Sequence, residues 1–262
     1  MSQDQYVKME QIPGKLGIKR GENLFISSDM RRLLGKSLEH EKRADLNGFI
    51  DSFKKAVGEN GTIVIPTYNW DFCSGTAFDH RNTRCRTGIL GTAALKRADF
   101  VRTKHPIYSF AVWGKHGKRL AEMENQDSFG ADSPFAFMRE EGFTNIIIDV
   151  SFQQCFTYVH YVEQRTGVPY RYLKEFTADY IDGDGKKTER TYSMFVRDLD
   201  MDVRVTIDPM EEVFLREGAQ RTEMINDVMF RIVDLGKADV LIEEDIRRNG
   251  CGRICRYKGQ GV

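Results

Sequence analysis

The stretch from Asn145 to Arg171, NIIIDVSFQQCFTYVHYVEQRTGVPYR, changes its apolar period in mid-course, and that change restricts what the chain can fold into. Ile146, Ile147, Ile148 and Val150 form a β-branched run too short for a core helix, so they predict a buried strand. Ser151 to Gln154 break the run. From Cys155 the apolar groups fall at Phe156, Val159 and Val162, a helical spacing that stops at Gly167 and Pro169. A strand, a turn and a helix in that order form the repeating unit of a layered α/β domain.

The upstream chain repeats the alternation. Asn23 to Ser28 reads as a strand ending in two hydroxyls, and Asp29 to Leu34 begins a helix. That junction is open to two readings, a plain N-cap or an anion pocket at a helix N-terminus. Gly35 to Glu41 reads as a loop. Asp45 to Val57 carries Leu46, Phe49, Ile50, Phe53 and Val57 on one helical face, and Thr62 to Ile65 is a strand closed by Pro66. Thr67 to Gly88 has no period and reads as a functional loop. Gly91 to Arg97 predicts a short helix, Thr103 to Gly114 an extended run, and Lys115 to Met123 and Phe135 to Glu141 helices. Met1 to Gly21 is polar and turns at Pro13-Gly14, so residues 1–20 read as an arm or lead-in helix.

After Pro169 the texture becomes antiparallel. Tyr170 to Thr177, Thr188 to Val196 and Met201 to Ile207 read as strands, with Asp182-Gly183-Asp184-Gly185 as a hairpin turn. Met210 to Arg216 predicts a helix, Glu223 to Leu235 mixes strand and helix signals, and Val240 to Arg248 is a helix or a strand. The expectation is one domain over residues 1–262, with 178–262 as its antiparallel and helical C-terminal portion.

The 262 residues carry 39 basic and 39 acidic side chains, a formal charge of zero that points away from generic binding to nucleic acid or acidic membranes. No apolar run approaches the ~20 residues that span a bilayer. The five cysteines are odd in number and no leader-like segment precedes the domain, which together predict a reducing cytoplasm. Cys251 and Cys255 would give a metal only two ligands at a loose spacing, so they read as free thiols and no metal is expected.

On the helix after the turn, His160 and Glu163 stand three residues apart and share a face. An imidazole oriented by a carboxylate near a strand-to-helix turn suits a general base. The same spacing also describes a surface ion pair on an ordinary helix. His105 reads as structural or substrate-adjacent, and His40, His80 and His116 as surface residues.

Seven stretches in register over roughly residues 20 to 180 resemble the aminoglycoside 3-N-acetyltransferase family, which moves an acetyl group from acetyl-CoA to a sugar amine. They are Phe25-Ile-Ser-Ser28, Gly61 to Tyr68, Thr83 to Gly88, His105 to Gly114, Gly130 to Pro134, Thr157-Tyr-Val-His160-Tyr-Val-Glu163, and Val168 to Thr177. The resemblance implies a three-layer α/β/α sandwich with a central mixed sheet and an additional antiparallel region in the C-terminal part. It makes His160 the base and Glu163 its support, with direct attack of the amine on the thioester. It gives acetyl-CoA or another acyl-CoA as co-substrate, held by Ser27, Ser28, the Thr83, Arg84, Arg86, Thr87 and Gly88 loop, and Ser109. Arg31, Arg84 and Arg86 are candidate phosphate partners, because guanidinium matches phosphate bidentately. The oxyanion donor is sought near Ser27 to Asp29 or at Thr67.

One segment departs from the family. Its aminoglycoside-modifying members carry acidic or amide groups before the catalytic helix and an acidic overall charge, whereas Ser151-Phe-Gln-Gln-Cys-Phe156 is neutral and aromatic here. Thr67, Tyr68, Trp70, Phe152, Gln154 and Phe156 are therefore expected to bind the acceptor, with Tyr158 as a further stacking candidate. The expected acceptor is an amino sugar linked to a nucleotide, as in polysaccharide biosynthesis. The alternatives are an aminoglycoside, giving antibiotic resistance, and a non-catalytic CoA- or sugar-binding module. A Cys155–His160 acyl-enzyme is disfavoured by a five-residue spacing that turns the two side chains apart. A homodimer is left open.

Overall fold

The computed structural model describes residues 6–260; the first five residues of the expected arm lie outside them. Twelve strands run in chain order as β1 (Asn23–Ser28), β2 (Thr62–Pro66), β3 (Phe78–Asp79), β4 (Val101–Arg102), β5 (Phe110–Gly114), β6 (Thr144–Ile148), β7 (Arg171–Ile181), β8 (Lys187–Arg197), β9 (Arg204–Val205), β10 (Gln220–Ile225), β11 (Val228–Asp234) and β12 (Cys255–Arg256). The helices are α1 (Ile12–Lys15), α2 (Arg31–Glu41), α3 (Leu46–Val57), α4 (Ile89–Leu95), α5 (Gly117–Glu122), α6 (Pro134–Glu140), α7 (Phe152–Cys155), α8 (Tyr158–Thr166), α9 (Met210–Arg216) and α10 (Leu235–Arg248).

The main sheet is mixed, in the order β10-β11-β6-β1-β2-β5-β4. Its centre, β6-β1-β2, is parallel, and antiparallel strands flank it on both sides. Central parallel strands are buried on both faces, which is why Ile146, Ile147 and Ile148 run on without polar alternation. Ile147 packs with Phe25, Val64 and Phe110 on one face, while Ile146 and Ile148 pack with Leu24, Ile26, Ile63 and Ile65 on the other. Leu33 of α2, Phe49, Ile50, Phe53 and Val57 of α3, and Leu90 of α4 cover the second face. Leu120 of α5 and the apolar sides of α6, α8, α9 and α10 cover the first. Each fully buried large side chain in these layers contributes roughly 1.5–3 kcal/mol of transfer free energy. The result is the expected three-layer sandwich, with a further sheet β3-β7-β8 and a two-stranded ribbon β12-β9.

Several local expectations are corrected. Gly35 to Glu41 is helical, not a loop, because Leu33 and Ser37 are one turn apart and both buried; α2 ends at Lys42, whose φ is 57°. The extended run Thr103 to Gly114 is a strand only from Phe110. Before it the chain bends at Pro106, and the backbone N–H groups of Ile107 and Tyr108 donate to His105 Nδ1. Of Met201 to Ile207, only Arg204–Val205 is strand. Glu223 to Leu235 belongs mostly to a hairpin, turned by Asn226 and Asp227 at φ 53° and 59°, and Val240 to Arg248 is helix. The turn expected at Ser151 to Gln154 is mostly the short helix α7, and the helix expected from Cys155 begins only at Tyr158 as α8, after a break at Phe156-Thr157. His116 is buried beside Phe137 rather than on the surface, and His80 is half-buried with Nε2 at 3.0 Å from the Arg102 carbonyl.

Candidate functional site

Parallel strands end together at one edge of the sheet, and ligand clefts of α/β folds form there because the following turns diverge to opposite faces. Here the carboxyl ends of β1, β2 and β6 do so. Asp149, just past β6, adopts φ 52°, a left-handed conformation tolerated by Asp. Its N–H donates to the Met229 carbonyl, and the Asp29 N–H donates to the Ile148 carbonyl. These bonds tie the end of β6 to β1 on one side and to β11 on the other.

Two adjoining clefts open at this edge. The larger, of about 610 Å3, is lined by Ser27, Ser28, Asp29 and Arg31 at and beyond the end of β1, by Pro66, Tyr68 and Trp70 at and beyond the end of β2, by Arg86, Thr87 and Gly88, and by Gln154, Cys155 and Thr157 after β6. Gly88, at φ 112°, carries the loop over the cleft in a conformation only glycine adopts freely. Arg31 pairs with Asp29 and Arg86 with Asp71 at 2.8 Å. The Tyr68 hydroxyl is fully buried without a hydrogen-bond partner. Burial holds its proton on, raising it well above the ordinary phenol value, with Thr157 beside it pulling the other way.

The smaller cleft, of about 320 Å3, is lined by Tyr108, Phe152, Phe156, Val159, His160, Arg171 and Arg197, among others. Trp70, Gln154, Cys155 and Thr157 line both clefts. His160 stands on this side. Its Nδ1 is 2.7 Å from Glu163 Oε2, one helical turn along α8. Glu163 is buried, and three side chains serve it, His160 from its own helix, Tyr170 from just before β7 and Arg171 from the start of β7. The Tyr170 hydroxyl donates to Oε1 at 2.8 Å, and Arg171 Nε lies 2.9 Å from Oε2 as an ion pair whose angle is not that of a hydrogen bond. Burial works to raise the carboxyl, yet His160, Arg171 and Tyr170 outweigh it and hold it below its ordinary value. Burial lowers the proton affinity of His160, and the Arg171 and Arg197 charges add to this against the opposing pull of Glu163. With Nδ1–H donating to Glu163, the free ring nitrogen is Nε2, a base that is neutral at neutral pH.

α8 is anchored from behind. Asp239 of α10, 1% exposed, accepts the Tyr158 hydroxyl at 3.0 Å and pairs with Arg165 at 2.7 Å and Arg139 at 3.0 Å. Gly167, at φ 69°, ends the helix.

Of the site residues expected from sequence, His160, Glu163, Phe152, Gln154 and Phe156 gather at the smaller cleft or behind it, and Ser27, Ser28, Arg31, Arg86, Thr87, Gly88, Tyr68 and Trp70 at the larger. Thr83, Arg84, Ser109 and Thr67 line neither. The buried Arg102 collects three of them, donating to Ser109 Oγ at 3.0 Å, the Thr83 carbonyl at 2.6 Å and the Thr67 carbonyl at 3.3 Å. Phe152 and Phe156 are only 1% and 2% exposed and pack on Phe214, and Tyr158 is wholly core. The Cys155 thiol is pushed up to about 12 by burial, so it is not a thiolate. Tyr170, Arg171, Arg197 and Thr157 had no assigned role in the sequence reading. The facing of Arg171 and Arg197 needed the exact register, which the structure sets by pairing Ile181 with Lys187; a turn at Asp182 to Gly185 with a strand ending at Val196 does not give it.

An α/β/α sandwich with paired clefts at its parallel strand ends and a carboxylate-held imidazole lining the smaller of them matches a known class of transferase. The chain belongs to the aminoglycoside 3-N-acetyltransferase family, whose model matches residues 27–243, and is thus an N-acetyltransferase. Aminoglycoside acetyltransferase AAC(3)-Xa is similar at 20% identity over 94% of this chain and 95% of its own, with a TM-score of 0.76. AAC-IIIb, in a binary structure with CoASH, is similar at 15% identity over 98% and 100%, with a TM-score of 0.77. AAC-VIa in its sisomicin-bound structure is similar at 16% identity over 94% and 99%, with a TM-score of 0.75. These likenesses carry the fold. Among the described residues no helix is long and apolar enough to cross a membrane, and no group of three His, Cys, Asp or Glu is arranged to hold a metal.

Proposed function

We propose that the chain transfers an acetyl group from acetyl-CoA to the amine of an amino sugar by direct attack, with His160 as general base. The observation that carries this is the His160–Glu163 pair, 2.7 Å apart, at a cleft sharing a wall with the larger one. The acyl-CoA occupies the larger cleft, in keeping with the CoASH held by AAC-IIIb on the same fold. The acceptor occupies the smaller. His160 Nε2 takes a proton from the attacking amine, and Glu163 stabilises the imidazolium that forms. The C–N bond forms at the thioester carbonyl, the C–S bond breaks, and CoA leaves as thiolate. The Tyr68 hydroxyl, buried and unpartnered beside Thr157, is the donor we assign to the carbonyl oxygen as it gains charge.

Of the acceptors expected from sequence, the family match and the sisomicin held by AAC-VIa favour an aminoglycoside over a nucleotide-linked sugar. One observation favours the second: the lining of the smaller cleft includes no carboxylate and two arginines. Thiol release from acetyl-CoA in the presence of amino sugars tests the reaction. Replacing His160 with alanine should abolish most of it while CoA still binds; an unchanged rate would return the chain to the binding-module reading.

A further inference from the structure

We propose that the smaller cleft takes an amine whose molecule also carries an anionic group, a phosphate or a carboxylate, and that Arg197 pairs with that anion. This rests on the amine-acceptor reading above and specifies its substrate class.

Arg171 and Arg197 face each other directly across the β7–β8 ladder. Like charges in that position destabilise a sheet, so a ladder selected for stability alone would avoid the pair. Arg171 has a local reason to be there, because Glu163 neutralises it at 2.9 Å. Arg197 has none. Among the described residues it makes no ion pair, its one hydrogen bond is a long 3.5 Å contact to the Val203 carbonyl, and it is exposed at the cleft. Residues that break a local rule without compensation mark functional positions.

The cleft's charge agrees. No carboxylate lines it; Asp208, next in sequence to the lining residue Ile207, lies behind the wall, where it accepts the backbone N–H of the lining residue Gln153 at 2.8 Å. A polycation entering here would meet an unpaired guanidinium and no carboxylate in the cleft lining. An amine tethered to a phosphate or carboxylate would bring its own partner for Arg197, with the fork geometry that guanidinium offers. That pairing would also weaken the field with which Arg197 depresses His160.

The test is calorimetric binding to the full chain with CoA present, run beside the thiol-release assay. The probes are a UDP-linked amino sugar, the same sugar as its 1-phosphate, a carboxylate-bearing amino sugar, the free neutral sugar and gentamicin. Wild type should bind one or more charged probes more tightly than the free sugar. Arg197→Ala should weaken those by about tenfold or more and leave the free sugar unaffected, and Arg197→Lys should restore part of the loss. Which charged probe gains most identifies the anion's source. Tightest binding of gentamicin, or equal weakening of every probe in Arg197→Ala, would overturn the proposal. Binding in the expected order with no thiol release would instead sink the acetyl-transfer reading and leave the anion site standing.

Discussion

Arg171 Nε lies 2.9 Å from Glu163 Oε2, the same oxygen that faces His160 Nδ1 at 2.7 Å. One buried carboxylate thus carries two roles, orienting the imidazole and neutralising a guanidinium that depresses the imidazole's proton affinity.

The first prediction follows from that sharing. As the proposed base His160 must be neutral, so on that reading kcat/KM should fall as pH drops through its pKa, which lies below the ordinary 6.5. Arg171→Met removes a charge that lowers this value, so the acid limb should move to higher pH. An unmoved limb in a folded variant would refute the coupling. Glu163→Gln, which leaves Arg171 buried without its partner, should lower kcat by about tenfold to a hundredfold.

Cys155 lines both clefts, yet its thiol is held on by burial. Direct transfer predicts that Cys155→Ala retains kcat within about twofold, against the 10²-fold or greater loss usual for a missing covalent nucleophile. Rapid-quench trapping of an acetylated Cys155 would contradict it.

His105 sets a pH dependence of stability. Burial lowers its pKa to about 3, against the opposing pull of the Gln126 backbone, and Nδ1 is occupied by two backbone N–H donors. The folded form therefore refuses a proton that the unfolded chain accepts from about pH 6.5 downward. This contribution is intact above pH 6.5 and is lost progressively as pH falls toward 3, by roughly 1.4 kcal/mol per unit. His105→Gln should flatten that part of a denaturant-midpoint profile against pH.

Asp239 ties α10 to α6 and α8. Asp239→Ala strands the buried Tyr158 hydroxyl and frees Arg139 and Arg165, at a cost of about 3 kcal/mol. Because α8 carries His160, kcat should fall with stability. Urea unfolding and kcat measured on the same preparation check both.

What the sequence disclosed follows the physics of each segment. Long periodic runs, such as the α3 face from Phe49 to Val57 and the Ile146 to Ile148 strand, were legible because burial alone determines them. The His160–Glu163 pair was legible because its geometry is local to one helix. That Ser109 and the Thr83 carbonyl are bonded to Arg102, away from both clefts, was not legible, because Arg102 reads as an ordinary charged residue until the strands close around it. The break at Phe156-Thr157 escaped because apolar spacing carries across it, while the turn depends on long-range packing against Phe214. Asn226-Asp227 is a hairpin turn without glycine, so its signal was weak.

The wall common to the two clefts has a consequence for selectivity against water. Trp70, Gln154, Cys155 and Thr157 stand where thioester and amine would meet, and the indole, itself 41% exposed, leans on Tyr68 and Tyr108. An activated ester beside a neutral imidazole is open to hydrolysis whenever a water replaces the amine. On the proposed placement of the two substrates, a bulky ring at that doorway would restrict water's approach to the thioester, and the fraction lost to solvent would then depend on how one side chain packs.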